Sequence, residues 1–377
     1  MPATPRVAGF HGVTIQVKIW PLQSLTMEQA QNKQFQLVDI ICRHFPGSDF
    51  LNAGDLGLVP GLNQPQMTQR VEAVLADFFN VPKAVLVQGA GTGAIRSGLA
   101  ALLKAGETLL VHDAPLYPTT AVIAEQMGLQ LVRANFNQLD DVARAIEQHR
   151  PQAALIQHTR QKIDDSYSLR EVIACFNHYG LPSLTDDNYA VMKVENIGCE
   201  CGATLSTFSC FKLFGPAGVG VVAGDEKTVN AVRKSMYSGG SQIQGIQAME
   251  ALRGLVFAPV MHAVQAQVNE SLVAELQSGA VPQVKQAFIA NAQSKVLLVE
   301  FHEPIAEKVL ARAQHLGALP YPVGAESKYE IPPLFYRVSG TFLQSDPTLQ
   351  QRMIRINPNR SGAQTILRIL QESCQLL

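Results

Sequence analysis

The run Ala84-Val85-Leu86-Val87-Gln88-Gly89-Ala90-Gly91-Thr92-Gly93-Ala94 decides the fold. Ala84–Val87 is a short apolar run without strict alternation, the pattern of a strand buried on both faces. The glycines that follow allow a sharp turn and close backbone approach, and Ala94–Leu103 reads as a helix. A strand that turns into a helix in this way offers free N–H groups and a partial positive charge, which suit an anion such as phosphate. Working outward, Thr108–Val111, Leu129–Val132, Ala153–Ile156, Pro182–Leu184, Thr204–Ser206 and Val219–Val222 are further short apolar runs. Amphipathic stretches such as Gln138–His149 and Leu169–His178 separate them. Strand–helix alternation predicts an α/β fold with a mostly parallel seven-stranded sheet between helices. Ligands of such sheets sit at the carboxyl ends of the strands.

Beyond Pro259 the pattern changes. A helical stretch runs to Leu276, Ile289–Phe301, Ala306–Leu316 and Ile331–Val338 read as strands with helices, and Thr365–Leu376 reads as a closing helix. This predicts a large domain over residues 51–258 and a smaller α/β domain over 259–377, with the segment 1–50 packed against the smaller one.

The chain has 377 residues, 47% of them hydrophobic and 16% charged, which is the composition of a core-rich globular protein. Its net charge of −1 argues against nucleic acid or an acidic membrane as a main partner. The start up to Trp20 does not read as a signal peptide, and no apolar run reaches bilayer-spanning length. Six scattered cysteines fit reduced thiols in the cytoplasm. Cys199 and Cys201 lack a second pair at zinc-like spacing, so no metal site is expected.

The chemistry begins at Ser209-Cys210-Phe211-Lys212, which ends one apolar strand and opens a glycine-rich turn. A lysine beside a buried core is poorly solvated, so its pKa falls and its amine becomes a nucleophile suited to Schiff-base formation. A serine three positions earlier can hold a phosphate. Together they suggest pyridoxal 5'-phosphate (PLP), with Gly91, Thr92, Gly93 and Ser209 on the phosphate and Lys212 on the aldehyde. Tyr117, in the proline-stiffened Pro115-Leu116-Tyr117-Pro118, can lay its ring on a flat ligand. PLP also needs a carboxylate beside its pyridine nitrogen. Asp186, at a strand end, is the first choice, and Asp187 the alternative, because a one-residue shift reverses the face. His158 could approach the cofactor and Arg160 the substrate. A competing reading remains: Gly89, Gly91 and Ala94 fit a dinucleotide fingerprint with Asp113 as the ribose acid, which would give an NAD-dependent oxidoreductase. It offers no role for Asp186, Ser209 or Lys212.

Lys212-Leu213-Phe214-Gly215-Pro216-Ala217-Gly218-Val219-Gly220 is similar to the K-x-x-G-P-x-G-x-G run of class V aminotransferases, cysteine desulfurases and selenocysteine synthase-like enzymes. The chain thus resembles fold type I PLP enzymes of the aspartate aminotransferase superfamily across most of its large domain. The resemblance implies that Lys212 carries PLP, that Ser209 contacts the phosphate, that Tyr117 stacks on the pyridine and that Asp186 of Asp186-Asp187-Asn188-Tyr189 partners its nitrogen. Ser238-Gly239-Gly240-Ser241-Gln242 resembles the segment that reaches the neighbouring subunit's phosphate, which implies a homodimer with shared sites and a cofactor contact from Ser241. Arg355 resembles the arginine that binds a substrate carboxylate, with Arg360 as a nearby rival. Phe211 departs from the His, Gln or Arg that usually precedes the lysine. Neither Cys210 nor Cys374 suits a persulfide-carrying loop, which argues against desulfurase chemistry.

These residues together predict a cytoplasmic PLP enzyme acting on a small amino acid or amine. Aminotransfer is the first expectation, β-elimination or ammonia loss the second, and a non-catalytic PLP-binding protein the third.

Overall fold

The computed structural model describes residues 20–162, 164–290, 295–324 and 326–375. Every apolar run predicted as a strand between Lys83 and Gly224 forms one. The strands are β1 (Lys83–Gln88), β2 (Thr108–His112), β3 (Gln130–Ala134), β4 (Ala153–Gln157), β5 (Ser183–Asp186), β6 (Leu205–Ser209), β7 (Val219–Gly224), β8 (Val284–Ile289), β9 (Leu297–Phe301), β10 (Leu334–Arg337) and β11 (Met353–Asn357). The helices are α1 (Met27–His44), α2 (Gln66–Phe78), α3 (Ala90–Leu102), α4 (Pro118–Gln126), α5 (Leu139–His149), α6 (Leu169–His178), α7 (Glu226–Ser235), α8 (Gly245–Gln277), α9 (Ala306–His315), α10 (Gly340–Ser345), α11 (Leu349–Arg352) and α12 (Ala363–Gln375).

The first seven strands form one sheet in the order β1-β7-β6-β5-β4-β2-β3. Pairing is parallel from β3 across to β6, and β7 runs antiparallel between β1 and β6. Alternate residues of a strand face opposite sides. Val85, Val87, Leu109, Leu155, Leu184, Leu205 and Val222 meet side chains of α3, α4 and α7 on one face. Leu86, Phe208 and Val221 meet α2 and α8 on the other, where Leu110, Ala154 and Ile156 meet α5 and α6. Each large apolar side chain taken fully from water contributes about 1.5–3 kcal/mol.

The remaining strands form a four-stranded sheet in the order β10-β11-β9-β8, antiparallel throughout. Val299, Phe301, Ile354 and Ile356 pack beneath α9, α12 and the C-terminal end of α8. Two expectations about domain organisation change. Helix α8 is 33 residues long with Pro259 inside it, so the predicted boundary at 258/259 falls within one continuous helix. Its first half supplies Ala248, Met249, Leu252 and Leu255 to the core of the large sheet, and its last turns supply Leu272 and Leu276 to that of the small sheet. The N-terminal segment also sits elsewhere. Leu37, Ile40 and Ile41 of α1, with Phe45, join the core that holds α2 and β7, not that of the small sheet. Residues 1–19 of that segment, and residues 291–294 and 376 of the other predicted elements, lie outside the described residues.

No helix among the described residues is long and apolar enough to cross a membrane.

Helix α8 also supports the turn that carries Lys212. A Cβ at Gly254 would stand 2.6 Å from the Gly215 nitrogen and from the Phe214 carbonyl carbon, so only glycine permits this approach. Gly254→Ala is therefore expected to lower stability by about 1–3 kcal/mol, the usual result of overpacking. Urea unfolding checks this, and a change below about 0.5 kcal/mol would mean that the turn yields without cost.

Candidate active site

At the carboxyl edge of the large sheet, β1 ends in Gln88 and the chain turns through Gly89 and Ala90 into α3. Both turn residues have positive φ (91° and 54°), a conformation that glycine takes freely and alanine does not. Their N–H groups donate to the Gly218 carbonyl at 2.8 and 3.0 Å, which ties the turn to the loop entering β7. The helix starts at Ala90, earlier than the predicted Ala94. Gly91 and Thr92 therefore lie in the first helical turn, whose N–H groups have no intrahelical acceptor. A Cβ at Gly91 would overlap the Asn188 side chain, so the turn and the β5 edge are in close contact.

A cleft of about 140 Å³ opens beside this turn. Gly91, Thr92, Tyr117, Asp186, Tyr189 and Lys212 line it. An adjoining recess shares Tyr117, Gln157 and Asp186 and adds His112 and Gln161. Five predicted residues are thus brought together from four separate segments: Gly91 and Thr92 from α3, Tyr117 from the start of α4, Asp186 from the end of β5 and Lys212 from the 3₁₀ turn Cys210–Leu213 after β6.

Lys212 is half-buried, and its Nζ lies 4.7 Å from the centre of the Tyr189 ring. Burial pulls its ammonium below the ordinary lysine value, while Asp186, Glu326 and Glu330 pull it back up. The Asp186 carboxylate accepts from the Asn188 backbone N–H (3.1 Å) and from its side-chain amide (2.7 Å). Burial nevertheless raises Asp186 above the usual carboxylate value, with those two bonds and Lys212 opposing and Asp187 adding to the rise. Tyr117 is raised as well, by burial first and then by Asp186, with Arg355 acting in the other direction.

Of the two aspartates, only Asp186 lines the cleft. Asp187 points the other way: it bonds His158 Nδ1 at 2.6 Å and accepts the Thr185 hydroxyl at 2.5 Å and the Gly198 N–H at 3.3 Å. Neither Asp187 nor His158 lines the cleft, so both predicted cofactor contacts are replaced by a buried pair behind β5. Arg160 is also placed elsewhere. Its guanidinium donates to the carbonyls of Tyr167, Ser166 and Trp20, and it lines neither recess. Asp113, the ribose acid of the dinucleotide reading, is exposed and outside the cleft.

Ser209 is buried, and its hydroxyl accepts from the Phe211 N–H at 3.2 Å, capping the turn that holds Lys212. Gly93 packs against the Gln88 carbonyl within the first turn of α3. Ser241 bonds the Ser238 carbonyl at 2.7 Å, and the adjacent Gly240 carbonyl accepts from Gln88 Nε2 at 2.8 Å, so this segment lies beside the phosphate turn without lining the cleft. Arg355 donates to the Arg337 carbonyl at 2.7 Å and lies over the Tyr336 ring, 3.9 Å from its centre. Its charge acts on both Tyr117 and Tyr189, though it does not itself line the cleft. Arg360 lies over Phe214 instead, 4.6 Å from the ring centre.

Three residues escaped sequence reasoning. Gln157 and Gln161 line the recess under Tyr117, and Glu326, fully buried, acts on Lys212 from the loop before β10. The two glutamines could have been found from the exit of β4. Glu326 carries no periodic signal.

This arrangement fits PLP. A helix N-terminus offers donors for a phosphate, a half-buried lysine offers an amine of lowered pKa, and the buried Asp186 carboxylate would favour positive charge on a pyridine nitrogen. Residues 61–255 match the class V aminotransferase family, and residues 270–370 match the YhfS-like C-terminal domain. The chain belongs to the class V aminotransferase family, and PLP is its cofactor. It is 68% identical to the Escherichia coli protein YhfS over 357 residues, 95% of this chain and 99% of that protein. The crystal structure of that PLP-dependent protein superposes with a TM-score of 0.94, covering 96% of this chain and 100% of the other. A Cronobacter sakazakii cysteine desulfurase is 28% identical over 203 residues, 48% of this chain and 49% of the relative. Cystathionine gamma synthase of Xanthomonas oryzae shares the fold, with a TM-score of 0.68 at 17% identity over 90% of this chain and 97% of that one.

The two aspartates are expected to behave oppositely when mutated. An acid whose folded pKa is raised destabilises the fold once pH exceeds its ordinary value, so at pH 7 Asp186 carries a penalty. Cofactor-free Asp186→Asn is expected to be at least as stable as the parent in urea at pH 7, yet to bind PLP more weakly. Asp187→Ala strands His158 and Thr185 and is expected to cost on the order of 3 kcal/mol. Equal stability losses in both variants would contradict the assignment.

Proposed function

We propose that this chain is an aminotransferase that exchanges the amino group of a small amino acid, working as a cytoplasmic homodimer. The observation that carries this reading is the convergence of Lys212, Asp186 and Tyr117 on one cleft, with the charge of Arg355 acting on Tyr117. PLP, when bound, supplies an electron-accepting ring that acidifies the substrate α-carbon. The chain's own residues do the rest. Gly91 and Thr92 present N–H groups to the phosphate, and Thr92 is linked to Thr119 by a 3.3 Å hydroxyl contact. Asp186, held by Asn188, favours positive charge at the ring nitrogen. Tyr117 limits the ring from one side. Lys212, its pKa lowered by burial, releases its Nζ proton more readily than an exposed lysine would. Arg355 receives the substrate carboxylate with its fork of donors.

The dimer reading is supported by the position of Ser238–Gln242 beside the phosphate turn, where such a segment could reach a second copy's site. Six unpaired cysteines support a reducing compartment. Desulfurase chemistry is not favoured, because it requires a reactive thiol at the substrate. The Cys210 thiol is buried, its pKa pushed up to about 12, and none of the residues that line the cleft is cysteine.

Purified protein supplied with PLP is expected to show a visible absorption band that borohydride bleaches, and Lys212→Ala is expected to show none. Amino acids screened with a keto acid acceptor should then yield a new amino acid. Release of ammonia in its place would overturn aminotransfer in favour of a lyase, and no spectral response to any amino acid would leave a binding protein. Arg355→Met is expected to weaken carboxylate-bearing substrates about 10- to 100-fold, from loss of a charged hydrogen-bonding partner, and to leave simple amines unchanged. Because the neutral amine captures the cofactor, uptake should quicken as pH rises and level off below the ordinary lysine range. Asp186 raises the Lys212 pKa, so Asp186→Asn should move that plateau to lower pH, measured by stopped-flow absorbance.

A further inference from the structure

The loop between α9 and β10 rests on the lysine turn. A Cβ at Gly324 would stand 2.3 Å from Phe211 Cε1, and the Tyr329 ring centre lies 6.1 Å from that of Phe211, the residue before Lys212. Glu330 closes the loop on itself by accepting from the backbone N–H groups of Val323 (2.9 Å) and Ser327 (2.7 Å). Between these contacts stands Glu326. Its φ is 87°, in the left-handed region that glycine takes freely and a glutamate does not. Such a residue persists only where its surroundings over-determine it. Here the side chain does so. It is fully buried, with Oε2 paired to Lys193 and Oε1 accepting from Gln265 Nε2 at 2.7 Å and Asn357 Nδ2 at 3.3 Å. Those partners come from the segment after β5, from α8 and from the end of β11, so one carboxylate ties three separate parts of the molecule to the loop.

The pair with Lys193 reaches Lys212 through one aromatic ring. The Lys193 Nζ lies 5.8 Å from the centre of the Tyr189 ring, and the Lys212 Nζ lies 4.7 Å from the same centre. Two ammonium groups on one half-buried ring repel each other, because little water screens them. Burial draws Lys193 below the ordinary lysine value, Glu326 draws it back up, and Arg360 and Lys212 oppose that recovery. Lys193 also faces Lys295 and His262, the latter held neutral by burial. Lys212 in turn faces Asp186 from β5, and Glu326 and Glu330 from this loop. Asp186 lines the cleft, whereas Glu326 lines neither the cleft nor the recess beside it.

We infer that Glu326 is a positioning residue for Lys212: it holds the small-sheet loop on the lysine turn and neutralises the Lys193 ammonium that shares the Tyr189 ring with Lys212. The inference rests on Lys212 being the lysine that captures PLP, and it gives that lysine a second, remote carboxylate.

The test follows the uptake of PLP by the full-length cofactor-free chain, by stopped-flow absorbance as a function of pH. Glu326→Gln keeps the shape of the side chain and removes its charge. It is expected to move the pH at which uptake levels off downward by about 0.5 unit or more, since a lysine that loses a nearby carboxylate gives up its proton sooner. Lys193→Met removes the opposite charge and should not lower that pH by as much. If Glu326→Gln alone does not fold, Lys193→Met combined with Glu326→Gln leaves neither charge unpaired, and is compared with Lys193→Met for the same downward shift. A smaller shift on loss of the Glu326 charge would overturn the inference. So would an equal downward shift in Lys193→Met, which would trace the effect to a disturbed fold. A borohydride-bleachable band in Lys212→Ala would overturn it together with the reading of Lys212 on which it rests, whereas loss of that band with no pH shift overturns the inference alone.

Discussion

An amine withdrawn from water loses the solvation that keeps it protonated, and nearby carboxylates decide how much of that loss stands. At Lys212 the two effects are set against each other. The core beneath β6 and the Tyr189 ring exclude solvent, while Asp186, Glu326 and Glu330 lend negative charge. Too little burial would leave a permanently protonated lysine. Too little carboxylate would leave an amine that could not take up a proton in its turn. The surrounding structure is consistent with holding this balance: β6 ends at the right depth, Ser209 caps the turn, and Gly215 and Gly254 let α8 brace it from behind.

Helix α8 connects this balance to the rest of the molecule. The same helix supplies side chains to both hydrophobic cores and contacts the lysine turn at Gly254. Glu326 completes the link. One of its oxygens pairs with Lys193, the other accepts from Gln265 and Asn357, and its charge reaches Lys212. A loop of the small sheet thus tunes a residue of the large one.

Much of this was legible in the sequence, for identifiable reasons. Strands buried on both faces leave continuous apolar runs, so all seven strands of the large sheet could be read. The turn from β1 into α3 could be read because its glycines fall between an apolar run and a helical pattern. Asp186 and Asp187 could not be separated, because they are adjacent at a strand end and only the register with β4, which sets Asp186 beside Gln157, fixes which one faces the cleft. His158 and Arg160 were placed near the ligand by proximity in sequence, but one pairs with Asp187 and the other with backbone carbonyls. Pro259 read as a break because proline usually ends a helix, yet packing at both ends of α8 overrides that local preference. Glu326 was invisible because only the tertiary fold brings its loop to the lysine.

The antiparallel course of β7 has a further consequence. Because β7 runs against its neighbours, its beginning lies at the edge where β1 and β6 end, pairing Val219 with Gln88 and Gly220 with Ser209. The phosphate turn therefore closes on the Gly218 carbonyl, contributed by a segment far along the chain from Gly89. Contacts of such long sequence separation form late and slowly, since the intervening loop must be closed first. On the ribosome, the β1 turn emerges long before Gly218, so its closure waits on the synthesis of the segment that enters β7. A chain that stops short of β7 would therefore leave the N–H groups of Gly89 and Ala90 without their acceptor.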